Sequence, residues 1–190
     1  MSDERSATEP LHDPRMLRAI AHPVRNRILD ELSAGGPQRA ADMAKRLGVP
    51  ANQASFHLRQ LAKYGLVVEA PEEARDGRDR VWRAVHEPGF NVNLNALAEA
   101  PGGKAAVTVF LREAASAAHD AVERGYFAER SEDTMVMVGE SAVRLTKDDA
   151  RTLAGELNDL VESWRVRGKG AGAEARTYQL LQILQPAPEA

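Results

Sequence analysis

The apolar positions of the chain fall into four short helical stripes followed by two strand-like segments. Met16, Leu17 and Ile20 recur at helical spacing after Pro14. Pro23, in His22-Pro23, cannot donate to a helix ladder and breaks or bends the segment. A second stripe of Val24, Ile28, Leu29 and Leu32 predicts a helix to about Ala34, stopped by Gly35-Gly36-Pro37. Next come a short helix from Arg39 to Leu47, a tight turn at Gly48-Val49-Pro50 and a longer helix from Ala51 to Tyr64, ended by Gly65. Two helices joined by a three-residue turn containing glycine are the signature of a helix-turn-helix. Leu66 to Glu69 and Arg80 to Val85 read as strands joined by a polar loop with the hairpin dipeptide Asp76-Gly77. Such a hairpin after the second motif helix is a wing.

The pattern changes beyond Glu87-Pro88-Gly89. Phe90 to Ala100 is a partly helical connector, and Pro101-Gly102-Gly103 opens an alanine-rich helix to about Arg124. Val107, Phe110, Leu111, Ala114, Ala118 and Ala121 share one of its faces. Met135 to Val138 and Ala142 to Leu145 predict a second hairpin. Thr146 is the expected cap of a further helix, its hydroxyl accepting from the Asp149 amide. Ala150, Leu153, Leu157, Leu160, Val161 and Trp164 form that helix's expected buried stripe, and Thr177 to Leu184 reads as a last strand. The fold class is therefore α+β: a winged helix-turn-helix over 12–87, then a smaller helix, hairpin, helix and strand over 88–190. Residues 1–11 have almost nothing to bury and read as a disordered arm.

Charge adds a direction to this layout. The net charge of -3 conceals a split: residues 12–85 hold 13 Lys+Arg against 9 Asp+Glu, and the remainder 12 against 19. The front is basic and the back acidic, which suits a phosphate-facing N-terminal module. The chain has no cysteine, so disulfides, thiolate metal sites and cysteine nucleophiles are excluded. No apolar stretch approaches the roughly 20 residues of a membrane span, and the polar first ten residues lack the apolar core of a signal peptide. A cytoplasmic location without membrane contact is expected.

Three stretches carry a family likeness: AHPVRNRIL at Ala21 to Leu29, ASFHLRQL at Ala54 to Leu61 and YGLV at Tyr64 to Val67. With the order of elements around them, they make Met16 to Val85 resemble the DNA-binding module of the ArsR-like winged-helix regulators. The resemblance implies a transcription regulator, expected to be a repressor, that binds double-stranded DNA as a homodimer. In that family the first helix and one following the wing make the dimer contact. One departure is Arg39, which stands where a Ser or Thr cap is common.

The second motif helix supports the same reading from its own residues. Ala54, Leu58 and Leu61 point one way, leaving Asn52, Gln53, Ser55, Phe56, Arg59 and Lys63 towards the other. Asn and Gln pair bidentately with adenine and Arg with guanine, and a phenyl ring can touch a thymine methyl. These six residues are the expected base- and backbone-contacting set. Arg75, Arg78 and Arg80 are the wing candidates for phosphate or minor-groove contact, although interleaved Glu72, Glu73, Asp76 and Asp79 dilute the field. His57, beside a buried leucine, reads as a packed structural group before a base contact. Arg25 and Arg27 fit a structural pairing with a carboxylate as well as a phosphate contact.

Rival functions are weighed against the same residues. A metal-responsive repressor would need His and carboxylate ligands, yet the five histidines are scattered; His119, Asp120 and Glu123 are the best local group and read as an exposed helix face. No metal or cofactor is expected. The acidic C-terminal region shows neither a phosphate loop nor a nucleophile elbow, so no enzyme is expected. A DNA-tethered interaction module is the other alternative, with Tyr126, Phe127, Trp164 and Tyr178 lining a pocket for a small-molecule effector or protein partner, or simply filling a core.

Overall fold

The computed structural model describes residues 13–74, 80–85, 94–169, 171–172 and 174–188. The expected arm at 1–11, the wing tip with Arg75, Asp76, Gly77, Arg78 and Asp79, and the start of the connector lie outside them. The chain divides into two compact units, one ending at Ala115 and the other beginning at Ser116.

Helix α1 (Pro14–Ile20) starts where the Asp13 carboxylate accepts the Arg15 amide at 2.8 Å and proline occupies the first turn. Helix α2 (Pro23–Gly35) follows, capped by the His22 imidazole, whose Nδ1 accepts the Val24 N–H at 3.2 Å. The expected break at His22-Pro23 is thus a real boundary that doubles as a cap. Helices α3 (Ala40–Leu47) and α4 (Ala51–Lys63) form the helix-turn-helix. Arg39 gives α3 no side-chain cap and instead grips Asp42 through two hydrogen bonds of 2.8 and 3.0 Å.

Gly48 makes the turn between α3 and α4 with φ of +65°, the left-handed region that costs a residue with a Cβ roughly 1–2 kcal/mol. Open space surrounds its position, so no steric clash adds to that cost. Gly48→Ala should lower unfolding free energy by about that amount without changing the fold, as urea denaturation with a control far-UV spectrum will show. A loss below about 0.3 kcal/mol would disprove the conformational account.

Strands β2 (Val67–Glu69) and β3 (Val81–Ala84) pair antiparallel, with Val67 opposite Ala84 and Glu69 opposite Trp82. A third strand, β1 (Gln38–Arg39), extends the sheet in the order β1-β3-β2. Two polar residues carry no alternation that would betray β1; the pairing is made by Trp82 and Val81 across from them. Leu17, Ile28, Met43, Leu58, Leu61 and Leu66 are fully buried in one core that gathers α1 to α4 against the sheet. Leu97 of α5 (Leu94–Glu99) and Ala106 of α6 (Gly103–Tyr126) close it.

The second unit departs from the sequence expectation. Among its described residues none is buried. Residues 135–145 and 177–184, expected as a hairpin and a strand, form no ladder, although the Met135 amide donates to the Tyr178 hydroxyl at 3.3 Å. The chain's described sheet lies wholly in the first unit. Helix α7 (Lys147–Gly168) is present and carries the expected Thr146 cap, with the Asp149 amide donating to the Thr146 hydroxyl at 3.1 Å and the Thr146 amide donating in return to the Asp149 carboxylate. The hydrogen bonds from the Thr146 hydroxyl and amide hold the Asp149 carboxyl below its ordinary pKa. However, the stripe expected to be buried is not: Leu160 and Trp164 are 55% and 62% exposed. Helical periodicity tells which face is apolar but not whether anything in the same chain covers it.

Candidate nucleic-acid interface

Helix α4 is held from behind and open in front. Ala54, Leu58 and Leu61 have no exposed surface, while Asn52, Gln53, Phe56, Arg59 and Lys63 are exposed and Ser55 is half-buried. The helix thus divides as its sequence predicts. Its first turn has no side-chain cap; the Pro50 carbonyl accepts the Gln53 and Ala54 amides at 3.0 Å each.

Within the open face the residues differ in how far they are already engaged. The Asn52 Oδ1 accepts the Gln53 amide at 2.9 Å, and the Ser55 hydroxyl donates to the Ala51 carbonyl at the same distance. Lys63 Nζ stands 6.0 Å from the centroid of the Tyr64 ring. Arg59 is exposed and has no hydrogen bond or ion pair among the described residues. Phe56 is 49% exposed, a large apolar side chain on an otherwise polar face.

Arg80 lies exposed at the edge of β3, 3.6 Å from the Glu69 carboxylate. Arg83 and Glu72 stand 3.9 Å apart. Neither pair joins a wing candidate to one of the acids expected to dilute it: Arg80 faces Glu69, and Glu72 faces Arg83. Such exposed pairs are worth little and can open when a phosphate competes.

The arginines of α2 are structural. Arg25 donates through Nε to the Ala19 carbonyl and through a terminal nitrogen to the Arg18 carbonyl at 3.1 Å, tying α2 back to α1. Arg27 donates to the Leu47 carbonyl at 3.1 Å and so satisfies the end of α3. Both use backbone carbonyls in place of the carboxylate partner that the sequence suggests.

His57 is 4% exposed, and its Nδ1 has no hydrogen-bond partner among the described residues. Its ring meets that of His22 at a centroid distance of 4.6 Å and Phe56 edge-on at 5.4 Å. A packed His57 is legible in the sequence but its partner is not, because His22 reads there only as the residue before a helix-breaking proline.

The His119 group is the exposed helix face that its sequence suggests. His119 and Glu123 make an exposed pair at 3.7 Å. Tyr126, Phe127, Trp164 and Tyr178 are all exposed, Phe127 at 83%, so they do not fill a core. Trp164 instead carries the Arg167 guanidinium 4.8 Å from its ring centroid.

Residues 20–70 match the family model described as a helix-turn-helix domain. The chain therefore contains a helix-turn-helix domain, set in a winged-helix fold. Among solved structures it is similar to wild-type MarR in the apo form from E. coli, at 15% identity over 78% of this chain and 87% of that one, with a TM-score of 0.35. It is also similar to NMB1585, a MarR family regulator from Neisseria meningitidis, at 18% identity over 77% and 78% of the two chains and a TM-score of 0.32. A mutant of MepR from S. aureus bound to oligodeoxyribonucleotide matches at 13% identity over 79% and 87%, with a TM-score of 0.31. No curated protein matches the chain.

Proposed function

We propose that the protein is a sequence-specific regulator of transcription that binds duplex DNA through α4 and the wing, and acts as an ArsR-like repressor in the cytoplasm. The observation that carries the reading is the division of α4: an exposed face of Asn52, Gln53, Phe56, Arg59 and Lys63 backed by fully buried Ala54, Leu58 and Leu61 within a helix-turn-helix. A helix so anchored presents donors and acceptors to a major groove without having to order itself first. Ser55 joins the contact set, and Arg75, Arg78 and Arg80 supply the backbone clamp. The protein acts by binding rather than by catalysis. Residues 12–87 form the DNA-binding domain in this reading and 88–190 the region for pairing and for an effector or protein partner. Selection of bound duplexes from a random pool tests it, the expected result being enrichment of a two-fold symmetric site. Uniform recovery of all sequences would overturn specific binding.

A homodimer belongs to the same proposal, on altered grounds. The stripe of α1 is covered within the chain, since Leu17 and Ile20 are buried. On α6, by contrast, Val109, Leu111 and Val122 are between 44% and 48% exposed. Pairing through α6 would place two reading helices about one DNA turn apart. Light scattering at micromolar concentration should give twice the chain mass; a monomer that stays monomeric on adding DNA would refute the pairing.

A further inference from the structure

The contact between His22 and His57 lies where α4 rests on the corner between α1 and α2. We propose that these two imidazoles form a proton-sensitive latch behind the reading helix: neutral, they hold α4 in place, and protonated, they loosen it and weaken duplex binding. The inference rests on the DNA-binding reading of α4 and adds a mode of regulation to it.

The hydrogen-bond chemistry sets the direction. His22 Nδ1 accepts the Val24 N–H, so its neutral tautomer carries the proton on Nε2. A proton on Nδ1 would put N–H against N–H and remove the cap of α2. His57 Nδ1 is buried without a partner among the described residues, and a proton there would leave a charged donor unsatisfied. The rings are too close for two charges to coexist cheaply.

The nearest positive charge points the same way. Arg25, on α2, disfavours the cation at both rings; at His22 a backbone hydrogen bond and, more weakly, Glu113 on α6 oppose it. For His57 the groups that bear on it are His22 and Arg25, both of which disfavour its cation. Burial, followed by Arg25, holds His22 below its ordinary value, and burial, followed by His22 and Arg25, does the same for His57. A histidine with a lowered pKa in the packed state takes up a proton on release. The packed state is therefore fully favoured above about pH 6.5, the ordinary histidine value, and loses ground as pH falls below it.

The expected sign is distinctive. Protonation of surface histidines adds positive charge and strengthens binding to phosphates, whereas the latch weakens binding on acidification. Duplex affinity at constant ionic strength should fall on acidification from pH 7.5 to 5.5, a range that crosses the ordinary histidine value. His57→Phe, which keeps a ring against His22, and His22→Asn, which keeps a cap acceptor, should each flatten that profile. Thermal stability of the protein alone over the same pH range supplies the second readout, and should fall with acid in the wild type and less in either variant. Affinity that holds or rises on acidification, or the same acid loss of stability in wild type and both variants, would overturn the latch. Failure of the DNA-binding reading looks different: no duplex is bound at any pH, while the acid dependence of stability and its loss in the variants remain.

Discussion

Leu58→Ala is expected to cost about 2–5 kcal/mol of unfolding free energy, a large loss for a single side chain. Leu58 is fully buried in the core that joins α4 to α2, α3 and the sheet. Removal of three carbon atoms there leaves a cavity that neighbours on several elements cannot jointly collapse to fill. The loss is a substantial share of the roughly 5–15 kcal/mol that holds a domain folded, so α4 should lose its fixed position before its helicity. Urea denaturation of the purified protein measures it. A loss under about 1 kcal/mol would mean that the site relaxes freely and that α4 is less firmly anchored than its burial indicates.

One residue further along, Arg59→Ala should leave unfolding free energy within about 0.5 kcal/mol, because Arg59 is exposed and without a partner among the described residues. On the preferred duplex it should cost roughly 1–3 kcal/mol of binding, and less on random DNA, since a bidentate pairing with a base edge forms only at the right base. Arg78→Ala and Arg80→Ala should instead weaken all duplexes alike and lower the salt slope by about one for each phosphate no longer neutralised. For Arg80 the effect is moderated by Glu69, which stands 3.6 Å away and has to be given up before a phosphate is engaged. Salt titrations on specific and random duplexes for each variant separate the two roles. Equal weakening for Arg59→Ala on both duplexes, with altered site preference for Arg78→Ala, would reverse the assignment of reader and clamp.

The N-terminal module is legible in the sequence because its signals are local. Pro23, Gly48 and Gly65 punctuate the helices at fixed places, and the stripes of α2 and α4 match the period of the helix they form. The inward turn of Ala54, Leu58 and Leu61 follows from that period alone, and with it the outward turn of Asn52, Gln53 and Arg59. What depends on residues distant in the chain is not legible. Strand β1 exists because Trp82 and Val81 offer it a pairing edge, and Arg27 finds Leu47 twenty residues away. His22 and His57 meet only once α4 lies on the α1–α2 corner. In the second unit periodicity names the apolar face of α7 correctly and its burial wrongly, since burial is a property of what packs against a helix and not of the helix. Local sequence determines where this chain turns and which faces are apolar; only the tertiary structure decides which of those faces are covered and which buried groups are brought together.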